Sequence, residues 1–199
     1  MIGSFCSGEV YNSAVILKLI EEWTAHSKYP LGRTIIQKLC YFAQAIDIPL
    51  GYRFSVYQYG PYSQELYNHI DDMVMSGLIK DENISTVDGS KTGTSSYALG
   101  EPDYYLPKCQ ILESETKDKI KQMVSFFKEN SPNELELLST THYYYIANKN
   151  YYKEIDDGTL KSFTLKSVVN AKKDKFSISE IDMAYLSIKS CDIDRAGRR

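Results

Sequence analysis

Apolar residues recur at helical spacing through most of the chain, and the interruptions between them mark the elements. Val15, Leu19, Ile20 and Trp23 fall at i, i+4, i+5 and i+8 and predict a first helix over Tyr11 to Ser27, with Asn12 or Ser13 available as its cap. After the loop YPLG, Thr34 opens a second helix whose Ile35, Leu39, Phe42 and Ala43 share a face that Ile36 and Cys40 widen. That helix should stop near Asp47, because Pro49 disfavours helical geometry at Ile48. Phe54 to Tyr59 alternates in the manner of a strand. A third helix, about Tyr62 to Ser76, buries Leu66, Ile70, Met73 and Val74, and Gly77 stands where a left-handed cap is expected. Leu78 to Thr86 and Thr94 to Leu99 then predict two strands around the turn VDGSKTG. Three helices and a hairpin follow one another in the order of a winged helix.

The second half is more helical. Leu106 to Leu112 reads as extended, and Ser114 to Glu129 as an amphipathic helix with Ile120, Met123, Val124 and Phe127 inward. Ser131, Pro132 and Glu134 form a capping box for a helix carrying Leu135, Leu138, His142 and Tyr145 on one face. Asn148 to Gly158 is polar and turn-rich, and shorter helices near Leu160 to Ala171 and Ser179 to Lys189 precede the end DRAGRR. The pattern gives an α+β fold, mostly α, as one domain over residues 1–199. It has a winged-helix-like core with a β-hairpin (1–105) and added C-terminal helices (106–199).

Between the second and third helices lies YGPYS, Tyr59 to Ser63. Gly60 and Pro61 break the strand-like run, and Pro61 suits the entrance of the following helix through its fixed φ and missing N–H. Together with QKLCYFAQ (Gln37 to Gln44), the following Glu65-Leu66, Gly77-Leu78-Ile79 and SPNELELLSTTHYYYI (Ser131 to Ile146), this corner resembles the SocA-like or Panacea antitoxin domain family, with its YwgA-like uncharacterised relatives. A related domain follows the macrodomain in some antitoxins. The resemblance therefore implies a protein-binding module, not an enzyme, with no cofactor. Its long DGSKTG hairpin and basic tail depart from the family.

Composition narrows the partner classes. Of 199 residues, 43% are hydrophobic and 25% charged, which excludes general disorder; the deviation is the 17 tyrosines, a residue type suited to half-exposed contact surfaces. Cys6, Cys40, Cys109 and Cys191 lie far apart with no metal-ligand spacing, so free thiols are expected, Cys40 in the core. No basic-then-apolar leader opens the chain and no apolar run approaches the roughly 18 residues a bilayer span needs, so a cytoplasmic location is expected. The net charge of −3 combines an acidic body with a basic tail from Thr159 onward.

No residue set has a catalytic or metal-binding spacing. There is no phosphate loop, nucleophile elbow or HExxH. Asp71-Asp72 point about 100° apart on a helix and Asp156-Asp157 fall in a polar segment, so neither pair converges. His26 and His69 read as surface residues, whereas His142 in TTHYYY is a candidate site histidine or a satisfied core one. Duplex DNA is not favoured, because the third helix has no Lys or Arg and carries Glu65, Asp71 and Asp72. The basic tail, Lys80 and Lys91 could still contact nucleic acid. Tyrosine-rich surface points instead to a protein partner, which the resemblance suggests is a toxin encoded nearby. The candidate partner-binding residues are Lys38, Tyr41, Tyr57, Tyr59, Gly60, Pro61, Tyr62, Ser63, Thr141, His142 and Tyr144. Two alternatives stand beside this reading: a transcriptional or phage-related regulator that binds nucleic acid, and an enzyme with a Tyr/His pocket.

Overall fold

The computed structural model describes residues 7–83 and 94–190. The tip VDGSKTG with Lys91, and the DRAGRR end, lie outside or largely outside these residues, as do Cys6 and Cys191. The elements run α1 (Ser7–His26), α2 (Arg33–Ala45), β1 (Ser55–Tyr57), β2 (Gly60–Tyr62), α3 (Gln64–Met75), β3 (Ile79–Asp81), β4 (Tyr97–Leu99), α4 (Pro102–Cys109), α5 (Ser114–Phe127), α6 (Pro132–Tyr151), α7 (Asp157–Lys172), a 3-10 turn (Lys173–Lys175) and α8 (Ile178–Ser190). The fold is α+β and mostly α. Its strands form two antiparallel pairs, β1 with β2 and β3 with β4.

Two helices are enclosed on nearly all sides, which explains why their apolar pattern is wider than one stripe. On α1, Ala14, Ile16 and Leu17 are buried together with the expected Val15, Leu19, Ile20 and Trp23, because α2, α4, α5 and β4 surround it. The Trp23 indole N–H donates to the Tyr29 carbonyl at 2.8 Å and fixes the loop to α2. On α6 every residue from Leu135 to His142 is buried, between α2, α7, α8 and β2. Its start is the expected capping box: Ser131 N donates to the Glu134 carboxylate at 2.7 Å and Glu134 N to Ser131 Oγ at 3.3 Å. Cys40 lies fully buried.

Several expected boundaries move. Pro61 does not open α3; it lies in β2 opposite Val56, where a short isolated hairpin spares it any need to donate to a ladder. Ser63 caps α3 instead, its Oγ accepting from Leu66 N at 3.3 Å. Gly32, not Thr34, is the cap position of α2, and having no side chain it leaves the first turn without a side-chain cap. The stretch expected to be extended at Leu106 to Leu112 begins inside α4, which Pro102 initiates at its first turn. The polar segment Asn148 to Gly158 yields the last turn of α6 and the Asp156 cap of α7, whose carboxylate accepts from Thr159 N at 3.0 Å. Gly77 has φ +74, the left-handed geometry expected after α3.

Candidate functional site

The β1–β2 hairpin is fastened to α2 at both ends by one device used twice. The Gln37 side-chain amide donates to the Ser63 carbonyl at 3.0 Å and accepts from Ser63 N at 2.9 Å. One heptad later Gln44 does the same with Tyr52, donating to its carbonyl at 3.0 Å and accepting from its N–H at 2.8 Å. Each glutamine thus replaces a neighbouring strand for one residue, satisfying backbone groups that an isolated hairpin would leave unpaired. Both belong to QKLCYFAQ, whose polar positions are therefore spent on the corner.

The hairpin turn is held from below by lysines. Lys38 Nζ donates to the Pro61 carbonyl at 2.6 Å and Lys172 Nζ to the Gln58 carbonyl at 2.9 Å. Lys172 also pairs with the buried Glu136 carboxylate at 2.9 Å, which takes Lys175 on its other oxygen at 2.7 Å. Lys175 in turn lies 5.4 Å from the centre of the Tyr59 ring. Gly60 fits only because it lacks a side chain: φ is +87, and a Cβ would stand 2.7 Å from Thr140 Oγ1, 3.3 Å from the Glu136 carbonyl and 3.4 Å from Lys38 Cε.

Above this floor opens a groove of about 440 Å³, whose lining includes Arg33, Gln37, Lys38, Tyr57, Tyr59 and Tyr67. Tyr57 and Tyr59 are 65% and 54% exposed although their backbone is pinned. Tyr62 meets Tyr57 edge-on at 5.5 Å and lies 6.4 Å from Tyr67. Arg33 stacks over Tyr67 at 4.1 Å and bonds Asp71 at 2.8 Å. Lys38 is only 2% exposed. Burial, reinforced by the charge of Lys172 and opposed by Glu136, pushes its ammonium down to about 7. Burial likewise lowers Lys172, against the attraction of Glu136.

Of the residues expected at the site, Lys38, Tyr57, Tyr59, Gly60 and Tyr62 line the groove. Pro61 contributes its carbonyl to Lys38 and Ser63 its backbone to Gln37. The others lie away from the lining. Tyr41 and His142 are buried and hydrogen-bonded to each other at 2.8 Å. Desolvation raises the Tyr41 phenol, which keeps the hydroxyl protonated beside the imidazole. Thr141 turns its hydroxyl to the Leu137 carbonyl at 2.8 Å, and Tyr144 packs edge-on against Tyr143 at 5.7 Å.

His69, expected on the surface, is half-buried between Ser13 and Tyr52. Its Nε2 is 2.9 Å from Ser13 Oγ and its Nδ1 2.5 Å from the Tyr52 hydroxyl. The Ser13 hydroxyl donates to the Glu9 carbonyl at 2.9 Å, so the serine proton is directed away from the imidazole. Burial lowers His69, and the neutral ring ties α1, α3 and the chain before β1 together. Arg33, Gln37, Glu136, Lys172 and Lys175 were not among the expected site residues. Glu136 had a signal, a carboxylate amid Leu135, Leu137 and Leu138; Lys172 comes from a distant helix and had none.

No family model matches the chain. It is 28% identical over 164 residues to the uncharacterized protein YwgA of Bacillus subtilis, a match covering 80% of this chain and 86% of that protein. It is 32% identical over 138 residues, 65% of its length, to a DNA ADP-ribosyl glycohydrolase of Thermus aquaticus, of which the match covers 34%. The chain thus spans about a third of that protein. This similarity corrects the expectation that the chain is not an enzyme: a protein with an enzyme's name is among those it resembles, and a missing sequence motif does not outweigh that. No helix among the described residues is long and apolar enough to cross a membrane. Over most of its length the chain is similar to YwgA.

Proposed function

We propose that the chain is an antitoxin-like or adaptor protein that docks a segment of a protein partner in the tyrosine groove, the partner class being a toxin. The observation that carries this reading is the combination of exposure and rigidity at the corner. Tyr57 and Tyr59 present large aromatic surface to solvent while Gln37, Gln44, Lys38 and Lys172 hold the backbone beneath them. Anchors fixed in advance lose little conformational freedom on binding, which is what the few dominant residues of an interface require. The resemblance of the corner motifs to SocA-like and Panacea domains, on a winged-helix-like core, supports the same assignment. The surface of α3, without a single Lys or Arg, supports a protein over a duplex.

The test is capture of partners from host extract with the intact chain and with Tyr57→Ala. A specific complex, burying on the order of 1,200–2,000 Å², should weaken at least tenfold, while the melting temperature stays within about 2 °C because the ring is exposed. A complex indifferent to Tyr57→Ala and Tyr59→Ala would remove the groove from the interface.

A further inference from the structure

We propose that the groove selects a carboxylate: an Asp or Glu side chain on the docked segment accepts hydrogen bonds from Lys38 at the groove floor. The proposal rests on the docking reading above and adds the chemistry of what is docked. An ammonium offers three donors, and among the described residues Lys38 has one acceptor, the Pro61 carbonyl, and no carboxylate partner. A cation that is 2% exposed normally has a counter-ion. Among the described residues the one carboxylate of the surrounding network, Glu136, is divided between Lys172 and Lys175. Positive charge is therefore in excess under the corner, and the open side is the groove that Lys38 lines.

The donor set fits a carboxylate better than a phosphate. Arg33, the other cation of the groove, is paired with Asp71, bonded through Nε to Ser95 and stacked on Tyr67, so a negative charge already stands beside it. A single ammonium matches a monoanion with two acceptor oxygens. A phosphate near neutrality carries nearly two charges and asks for several donors. The aromatic walls from Tyr57, Tyr59, Tyr62 and Tyr67 exclude water around such a contact, which strengthens it. With Lys38 depressed to about 7, an arriving carboxylate favours its charged form, and binding is accompanied by uptake of a proton from solvent onto Nζ.

The experiment selects a phage-displayed library of random heptapeptides on the intact protein. Selected peptides should share one acidic position flanked by apolar or aromatic residues, and replacing that Asp or Glu by its amide should weaken binding at least tenfold. Lys38→Met should abolish the acidic preference. If that variant does not fold, the Lys38 Cε signal in the wild-type protein serves instead, moving with the acidic peptide and not with its amide. Selection without an acidic position, an acidic preference unchanged in Lys38→Met, or displacement of the peptide by millimolar inorganic phosphate would each overturn the proposal. A captured partner that depends on Tyr57 but is indifferent to Lys38→Met would sink the carboxylate and leave the docking reading standing; loss of both would sink the two together.

Discussion

Gly60→Ala tests the construction of the site from the inside. Two costs add at this position. A non-glycine residue at φ +87 occupies a sparsely populated region, at about 1–3 kcal/mol. The new Cβ also arrives 2.7 Å from Thr140 Oγ1, with the Glu136 carbonyl 3.3 Å away on a fully formed helix that cannot retreat. Overpacking of this kind costs about 1–3 kcal/mol. The expected loss is therefore about 2–6 kcal/mol, a large share of the stability of an ordinary domain. Thr140→Ala separates the two costs. It deletes the oxygen the Cβ would strike, at the expense of a hydroxyl that donates to the Glu136 carbonyl at 2.7 Å. In that background Gly60→Ala should cost about 1–2 kcal/mol less, a coupling that a double-mutant cycle reads directly. Urea unfolding followed by circular dichroism supplies all four free energies. A Gly60→Ala protein within about 0.5 kcal/mol of wild type, or a penalty unchanged by Thr140→Ala, would refute the seating of the corner on α6.

Three further outcomes follow from the same cluster. Glu136→Gln, which leaves Lys172 and Lys175 without their shared carboxylate, should destabilise by about 3–5 kcal/mol, measured by the same unfolding assay. Tyr41→Phe should cost about 1–2 kcal/mol by breaking the buried bond to His142 yet leave partner capture unchanged; weakened capture would place that pair in the interface. Lys38 is held below its unfolded value, so between about pH 7 and pH 10 the unfolded chain binds more protons than the folded one and stability rises with pH. Comparing wild type with Lys38→Met over pH 7–9 isolates that slope, at most about 1.4 kcal/mol per pH unit; parallel curves would show that Lys38 is charged and paired in the folded protein.

What the sequence determined by itself was local. The periodicity of Val15, Leu19, Ile20 and Trp23 placed α1, Ser131-Pro132-Glu134 started α6 at its observed cap, and Gly60 and Gly77 stood where a left-handed backbone was needed. These signals are legible because spacing, capping and glycine conformation act within a few residues. Even there the boundary failed at Pro61, since a proline suits a helix start and an unpaired strand position equally, and only the pairing of β1 with β2 chooses between them. Tertiary structure decided the rest. Gln37 and Gln44 look like the polar face of a helix until Ser63 and Tyr52 are brought against them. Lys172 and Glu136 are 36 residues apart, and Lys172 reaches Gln58 across 114. The charge that shapes the groove comes from three segments distant in sequence. Its sign and burial exist only once α2, α6 and α7 close around the hairpin, because desolvation belongs to the packed arrangement and to no residue by itself.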